Sequence, residues 1–132
     1  MHYNRSELRR LIMTILYQIA MYDKNKVDYN VDEVINENVK MDNEFVKEMV
    51  YGVLNNITSI DELANKHLKN WQIDRLGKTD QAILRMGIYE LVYTDTPDII
   101  CINEAVELAK LFSDDAVKDV INGVLDSIYH EK

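Results

Sequence analysis

Apolar residues recur along this chain at intervals of three and four positions, which is the repeat of an amphipathic helix. In the first predicted helix they share one face: Leu8, Leu11, Ile12, Ile15, Leu16 and Ile19. The opposite side carries Met13, Tyr17 and Met21 at four-residue steps. Because large apolar side chains stand where a polar surface is expected, we predict that a second layer of this protein or a partner covers them.

Polar residues mark the boundaries of the next helices. Residues 23–30 are polar and aperiodic and predict a loop, and a short helix is expected over about 31–35. Asp42 or Asn43 can cap the helix that follows, because their side chains accept hydrogen bonds from free backbone N–H groups. The inner face of that helix is apolar: Val46, Met49, Val53, Leu54 and Ile57.

Two further helix starts are predicted in the middle of the chain. Ser59 and Glu62 match a capping box, in which the two residues satisfy backbone N–H groups reciprocally, and the helix they start would carry Trp71 on its inner face. Thr79 or Asp80 is expected to cap the following helix. Its residues 82–93 are apolar nearly all round, which predicts a helix buried at the centre of the bundle.

The last third of the chain predicts two more helices. Pro97 separates the central helix from one over about 103–112, and Asp114 or Asp115 can cap the final helix. Gly123 lies inside the final helix at a cost of about 1 kcal/mol against alanine, which is tolerable if another helix must approach closely. Seven helices, two of them short, and no convincing strand place the chain in the all-α class.

The composition agrees with one intracellular domain. The chain has 132 residues, which is the size of a single domain, and one Pro and four Gly leave little for the turns of a strand-rich fold. A single cysteine forms no internal disulfide and indicates a reducing compartment. No signal peptide and no membrane span are apparent in the sequence. We therefore expect a soluble, cytoplasmic protein.

The net charge of −8 argues against a nucleic-acid ligand, but the charge is unevenly distributed. Arg5, Arg9 and Arg10 lie within the first ten residues, opposed only by Glu7. They form either a solvated helix end or a small phosphate-binding patch. Three arginines bind RNA weakly, because each phosphate neutralised on a single strand adds only about 0.7 to the salt slope. If RNA is the ligand, a second protein is expected to share the contacts.

No catalytic or metal-binding pattern appears in the sequence. The four glycines are isolated, and His2, His67 and His130 lack ligand spacing with each other or with Cys101. Cys101 stands between two isoleucines and reads as a buried side chain. His67 falls on an inner helix face and reads as a packed histidine with a satisfied nitrogen. We expect no enzyme activity, no cofactor and no metal site.

The motifs of the chain resemble those of the NusB family in their order and spacing. They cover residues 71–76, 79–85, 89–91, 102–110 after Pro97 and 122–126, and Leu16-Tyr17-Gln18 resembles the family's N-terminal element. The resemblance implies an all-α fold with an N-terminal helical subdomain of about residues 1–58 and a C-terminal one of about 59–132. It also implies a bacterial transcription antitermination factor that binds boxA RNA together with the ribosomal protein NusE.

The family's functional positions map onto six residues of this chain. The resemblance implies RNA contacts by Arg5, Arg9, Arg10 and His67, and NusE contacts by Tyr17 and Asp80. It further implies that the RNA–protein complex joins RNA polymerase and lets ribosomal RNA operons be transcribed past terminators.

Departures from the family pattern change the expected affinity. The N-terminal basic run is thinner than usual, and Val120 stands where a phenylalanine is common, so a base stack from that turn is not expected. We predict weaker RNA binding by the protein alone and a stronger dependence on NusE. Two alternatives are an RNA-binding domain of an RNA methyltransferase, which the length of the chain disfavours, and a homodimerising interaction module with no RNA ligand.

Overall fold

The computed structural model describes residues 2–132, and within them it contains seven α-helices and no strand. A single 3₁₀ turn, Ile73–Arg75, precedes the fifth helix. The predicted all-α class is confirmed. The helices are α1 (Arg5–Lys24), α2 (Val31–Asn38), α3 (Glu44–Asn55), α4 (Ile57–His67), α5 (Lys78–Tyr93), α6 (Asp98–Phe112) and α7 (Asp115–Glu131).

Helix α5 lies at the centre of the bundle, as its apolar sequence predicts. It packs against α1, α3, α4, α6 and α7. Buried apolar side chains from every helix join a single cluster that extends from Leu8 to Ile128. The two subdomains predicted to meet near residues 58 and 59 would therefore share one core. Within residues 2–132, no helix combines the length and the apolar character needed to cross a membrane.

Helix starts at α1, α3 and α7 are capped by side chains. Asn4 accepts a hydrogen bond from the backbone N–H of Glu7 at 2.8 Å, and Glu7 accepts one from the N–H of Asn4, which completes a capping box. Asn43 caps α3 and Asp114 caps α7, which confirms one residue of each predicted pair. The capping box of Asn4 and Glu7 fixes where α1 begins, and therefore on which side of the helix each of its arginines lies.

Other helix starts differ from the predictions. Helix α4 begins at Ile57, directly after α3, so the capping box predicted at Ser59 is wrong and Ser59 lies inside the helix. Helix α5 begins after Gly77 with no side-chain cap, which leaves Thr79 and Asp80 in its first turn. There the carboxylate of Asp80 still complements the positive end of the helix dipole.

Helix α6 is longer than predicted because it begins directly after Pro97. It starts at Asp98 and not near Asn103, since the fixed φ of proline suits the entry to a helix. Helix α4 ends at His67, and Asn70 follows with a φ of 73°, in the left-handed region. Trp71 therefore lies outside the helix and is 37% exposed, so the prediction that it faces inward is wrong.

The glycines differ in what surrounds them. A Cβ on Gly123 would meet no atom within 4 Å, so no close helix approach accounts for the glycine there. A Cβ on Gly52, in α3, would instead overlap the ring of Tyr89 on α5. Gly52 is therefore where α3 and α5 approach closely.

Alanine at these two helical positions is expected to have opposite effects on stability. Gly123→Ala should raise the free energy of unfolding by about 0.5–1 kcal/mol, because alanine is the better helix former and nothing obstructs its methyl group. Gly52→Ala should lower it by roughly 1–2 kcal/mol, since overpacking against Tyr89 exceeds the same propensity gain. Urea unfolding followed by circular dichroism measures both values. A stabilised Gly52→Ala variant would contradict the tight packing.

Candidate nucleic-acid and partner interface

Arg9 is buried in an ionic network that joins three helices. Its guanidinium bonds both carboxylate oxygens of Glu90 on α5, at 2.9 and 2.5 Å, and lies 3.3 Å from Glu104 on α6. Arg9 is 4% exposed and Glu90 2%. Burial alone would lower the pKa of Arg9, but the hydrogen bond and charge of Glu90 raise it, so the side chain stays protonated. Its donors are directed at carboxylates and not toward solvent.

Arg5 is exposed and stacks on an aromatic ring of α3. Its guanidinium carbon lies 3.9 Å from the centre of the Phe45 ring, which is a cation–π arrangement. The two side chains line an open groove of about 650 Å³, whose lining also includes Thr94, Pro97, Ile100 and the carboxylates of Glu44, Glu48, Asp95 and Glu104. Stacking occupies the face of the guanidinium and leaves its N–H edge available for a phosphate.

Arg10 points to a different part of the surface. It is exposed, and its guanidinium carbon lies 4.9 Å from the ring centre of Phe112, at the end of α6. The three arginines predicted as one patch are thus separated into a buried ion pair, an arginine beside α3 and an arginine beside α6. Two of the three remain accessible to a ligand.

Asp80 lies at the end of α6, and Tyr17 lies on the face of α1 that carries Arg10. Tyr17 follows Arg10 by seven residues on α1, so the two share a helix face, and Tyr17 is 37% exposed. Asp80 accepts a hydrogen bond from the hydroxyl of Ser113, the residue after α6, and so ties the start of α5 to the end of α6. Leu111 and Phe112, which precede Ser113, are exposed by 68% and 38%.

Exposed apolar and aromatic side chains lie at the end of α6, and Tyr17 lies on the face of α1 that carries Arg10, whose guanidinium contacts Phe112. We call this region the α1–α6 surface; it consists of Tyr17, Asp80, Leu111 and Phe112, and Arg10 borders it. Aromatic residues and arginine are enriched at protein–protein interfaces, and neighbouring exposed apolar side chains mark interaction sites. Met13 on α1 is 5% exposed, so the rest of this chain covers it, and only part of the apolar side predicted on α1 remains open.

His67 lies at the end of α4, against α7. Its Nδ1 is 2.7 Å from the hydroxyl of Ser127, and its side chain is 7% exposed. Its Nε2 is 3.1 Å from a carboxylate oxygen of Glu131, yet it has no partner with hydrogen-bond geometry. The hydrogen bond from Lys66 lowers the pKa of Glu131, so this carboxylate is ionised at neutral pH. One nitrogen of His67 is therefore satisfied, as predicted, and the other faces the carboxylate of Glu131.

Trp71 is a candidate binding residue that the sequence pattern wrongly assigned to the inner face of α4. It lines a cavity of about 350 Å³ together with His67, Lys69 and Val120. The signal that could have located it is Asn70, because asparagine tolerates the left-handed backbone conformation and often follows a helix end. Recognising that helix end would have placed Trp71 in a loop.

The thiol of Cys101 is buried and unreactive. It is 1% exposed, and burial, followed by the negative charge of Glu90, raises the pKa of its thiol to about 12. In residues 2–132, no three His, Cys, Asp or Glu side chains are grouped so that they could hold a metal ion.

The thiol of Cys101 is expected to react with iodoacetamide only when the protein unfolds. At pH 8 it remains protonated because its folded-state pKa lies far above that pH, and its burial excludes the reagent. Mass spectrometry of the folded and the urea-unfolded protein tests this. Rapid alkylation of the folded protein would show that the region around Glu90 opens readily.

Comparisons with known proteins agree on one family. A model of the NusB family matches residues 6–130. The transcription antitermination protein NusB of Campylobacter jejuni is 42% identical over 131 residues, which cover 97% of this chain and 97% of that protein. The structure of T. maritima NusB superposes with a TM-score of 0.83 at 28% identity, over 99% of this chain and 94% of that one. A structure of NusB and NusE in complex with dsRNA gives a TM-score of 0.79 at 28% identity, over 97% of each chain.

Proposed function

This chain belongs to the NusB family, and we propose that it is a bacterial transcription antitermination factor that binds boxA RNA together with NusE. Its effect would be read-through in ribosomal RNA operons. The observation that carries the proposal is the match over 97% of both chains to a NusB that was crystallised with NusE and dsRNA. A protein of this kind works in the cytoplasm, where transcription takes place in bacteria.

The RNA contacts are assigned to the accessible cations of α1 and to His67. Arg5 and Arg10 are exposed, so each can form charge-assisted hydrogen bonds with a phosphate. Arg9 acts indirectly: by holding Glu90 and Glu104 it fixes the start of α1 and therefore the positions of its neighbours. Two phosphate contacts give modest affinity, which supports the prediction that NusE supplies additional RNA-binding surface.

The NusE contacts are assigned to the α1–α6 surface. It holds Tyr17 and Asp80, the two residues predicted for NusE, and its apolar centre at Leu111 and Phe112 suits a protein partner. Because Arg10 lies at the edge of this surface, bound NusE and bound RNA would be neighbours. The affinity for RNA and the affinity for NusE should then be thermodynamically coupled.

Leu111→Asp should weaken NusE binding roughly tenfold or more without unfolding the protein. Leu111 is 68% exposed, so a charge there costs little in the free protein but is costly in an apolar interface. Ile99→Asp is the matched control, because Ile99 is 60% exposed near the opposite end of α6. Isothermal titration calorimetry with purified NusE measures both. Equal affinities of the two variants would place NusE elsewhere.

The α1–α6 surface also supports the alternative of a self-associating module. The 68% exposure of Leu111 leaves an apolar side chain in water that a second copy of this chain could cover. Light scattering during size exclusion, with and without NusE, separates the two functions. A tight dimer that persists with NusE present and shows no RNA binding would favour the alternative.

A transcription assay tests the proposed function directly. The template carries boxA upstream of a terminator and is transcribed in a bacterial extract depleted of its own NusB. Adding this protein with NusE should increase the full-length transcript, and a scrambled boxA should abolish the increase. No increase with intact boxA would contradict the proposal.

A further inference from the structure

The open groove of about 650 Å³ beside Arg5 lies between the start of α3 and the start of α6. We call it the α3–α6 groove. The apolar part of its lining consists of Phe45, Met49, Pro97 and Ile100. Ile100 is 45% exposed and Ile99 beside it is 60% exposed, so large apolar side chains stand in water here. Neighbouring exposed apolar side chains mark an interaction surface.

Carboxylates surround the apolar part of this groove. Glu44, Glu48 and Asp95 in the lining are exposed, and none of the three forms an ion pair among residues 2–132. The fourth carboxylate, that of Glu104, is 3.3 Å from the guanidinium of Arg9. Three acidic groups beside the exposed apolar side chains are therefore free to pair with the cations of a ligand.

The groove already holds a guanidinium on its aromatic ring. The guanidinium carbon of Arg5 lies 3.9 Å from the ring centre of Phe45, and that of Arg9 lies 5.4 Å from it. The ring and the carboxylates thus attract cations by two separate effects. Four carboxylates and two guanidinium groups line the groove, so it keeps a net charge of −2 even with both arginines in place.

This charge selects a cationic protein segment as the occupant. A phosphate backbone is repelled by the carboxylates, so RNA bound at Arg5 would run outside the groove. In an extended peptide, alternate side chains point to opposite sides, so cations and apolar residues in alternation meet both kinds of lining. Ile100 and Leu111 are about 16 Å apart along α6, at 1.5 Å per residue, so NusE on the α1–α6 surface would leave the groove free.

We propose that the α3–α6 groove binds a segment of a protein partner in which arginine or lysine alternates with apolar residues. The apolar side chains of that segment contact Pro97 and Ile100, and its cations pair with Glu48 and Asp95. The inference goes beyond the proposed function, because it adds a second protein-binding surface that neither NusE nor boxA RNA occupies.

Three labelled peptides test the chemistry of the groove by fluorescence anisotropy with the full chain. The first is an octapeptide that alternates arginine and leucine; the second has glutamate in place of arginine, and the third has serine in place of leucine. The first should bind saturably, the second at least about tenfold more weakly and the third about fivefold more weakly. Equal binding of the first and third would reflect only attraction to the net charge of −8 and would overturn the proposal.

Variants at exposed positions locate the bound peptide. Glu48→Gln with Asp95→Asn should weaken binding of the arginine–leucine peptide about fivefold, because two ion pairs are lost. Ile100→Ser should weaken it about fivefold by removing an apolar contact. Glu33→Gln with Glu37→Gln is the matched control, since it removes the same charge from exposed positions of α2 outside the groove, and it should stay within about twofold of the wild type. Circular dichroism confirms that each variant is folded, and equal losses in the two double variants would overturn the proposal.

Competition separates this surface from the other occupants of the chain. Saturating NusE should leave the affinity for the arginine–leucine peptide within about twofold, and displacement of the peptide by NusE would overturn a separate surface. Weaker boxA binding by Ile100→Ser would place RNA in the groove and overturn the proposal. A dimer of this chain that the peptide disperses, as seen by light scattering, would make a second copy the occupant and overturn it as well.

The proposed function and the groove fail independently. If boxA RNA binds selectively with NusE but the arginine–leucine peptide does not bind, the groove is overturned and the antitermination function stands. If the peptide binds as expected but boxA RNA shows no selective binding, the groove stands and the antitermination function is overturned.

Discussion

Arg9→Met is expected to lower the free energy of unfolding by about 3–5 kcal/mol, because it leaves the carboxylate of Glu90 buried without its partner. Glu90 is 2% exposed, and its carboxylate accepts two side-chain hydrogen bonds, both donated by Arg9. The change would separate α1 from α5 at the point where α6 also joins, through Glu104.

Urea unfolding followed by circular dichroism measures this loss against two further variants. Arg5→Met loses the cation–π contact with Phe45. Apart from that loss, it should change the free energy of unfolding by less than about 0.5 kcal/mol, because Arg5 is exposed. Arg9→Met with Glu90→Leu should recover most of the stability, since apolar side chains of similar size replace the whole pair. A loss below about 1 kcal/mol for Arg9→Met alone would show that the ion pair is not structural.

Arg5→Ala combined with Arg10→Ala is expected to weaken boxA binding on the order of 25-fold near 0.1 M salt. Each arginine neutralises one phosphate, and two lost contacts remove about 1.4 from the slope of log K against log salt concentration. Arg9 is excluded from this variant, because its replacement would combine a folding defect with the loss of RNA contacts. Fluorescence anisotropy at several salt concentrations measures both the affinity and the slope.

The control for this pair removes the same charge elsewhere. Lys24→Ala with Lys40→Ala also deletes two exposed cations, at the end of α1 and between α2 and α3. It should reduce boxA affinity by less than about threefold. NusE binding by the arginine variant should also remain within about threefold, and an equal loss of NusE and RNA affinity would instead place the arginines in the protein interface.

The sequence predicts those parts of the fold that local periodicity determines. The inner face of α1 and the central position of α5 follow from the spacing of apolar residues, because that spacing decides which side of a helix is buried. The start of α4 was predicted wrongly at Ser59, because a capping box is a local signal and the chain continues into α4 directly after Asn56. The division into two subdomains stays a prediction.

The candidate site was less predictable because it depends on contacts between distant residues. The burial of Arg9 requires Glu90, which is 81 positions away, and nothing near Arg9 in the sequence indicates it. Asp80 likewise meets Ser113 only because the start of α5 lies against the end of α6. The exposure of Trp71 follows from the end of α4 at His67, where Asn70 was the only local sign.

The most direct test of the proposed function is the affinity of labelled boxA RNA for this protein, with NusE absent and then present, at two salt concentrations. We predict weak, salt-sensitive binding by the protein alone and tighter binding with NusE that a scrambled RNA does not show. Equal affinities with and without NusE, or equal affinities for boxA and scrambled RNA, would contradict it.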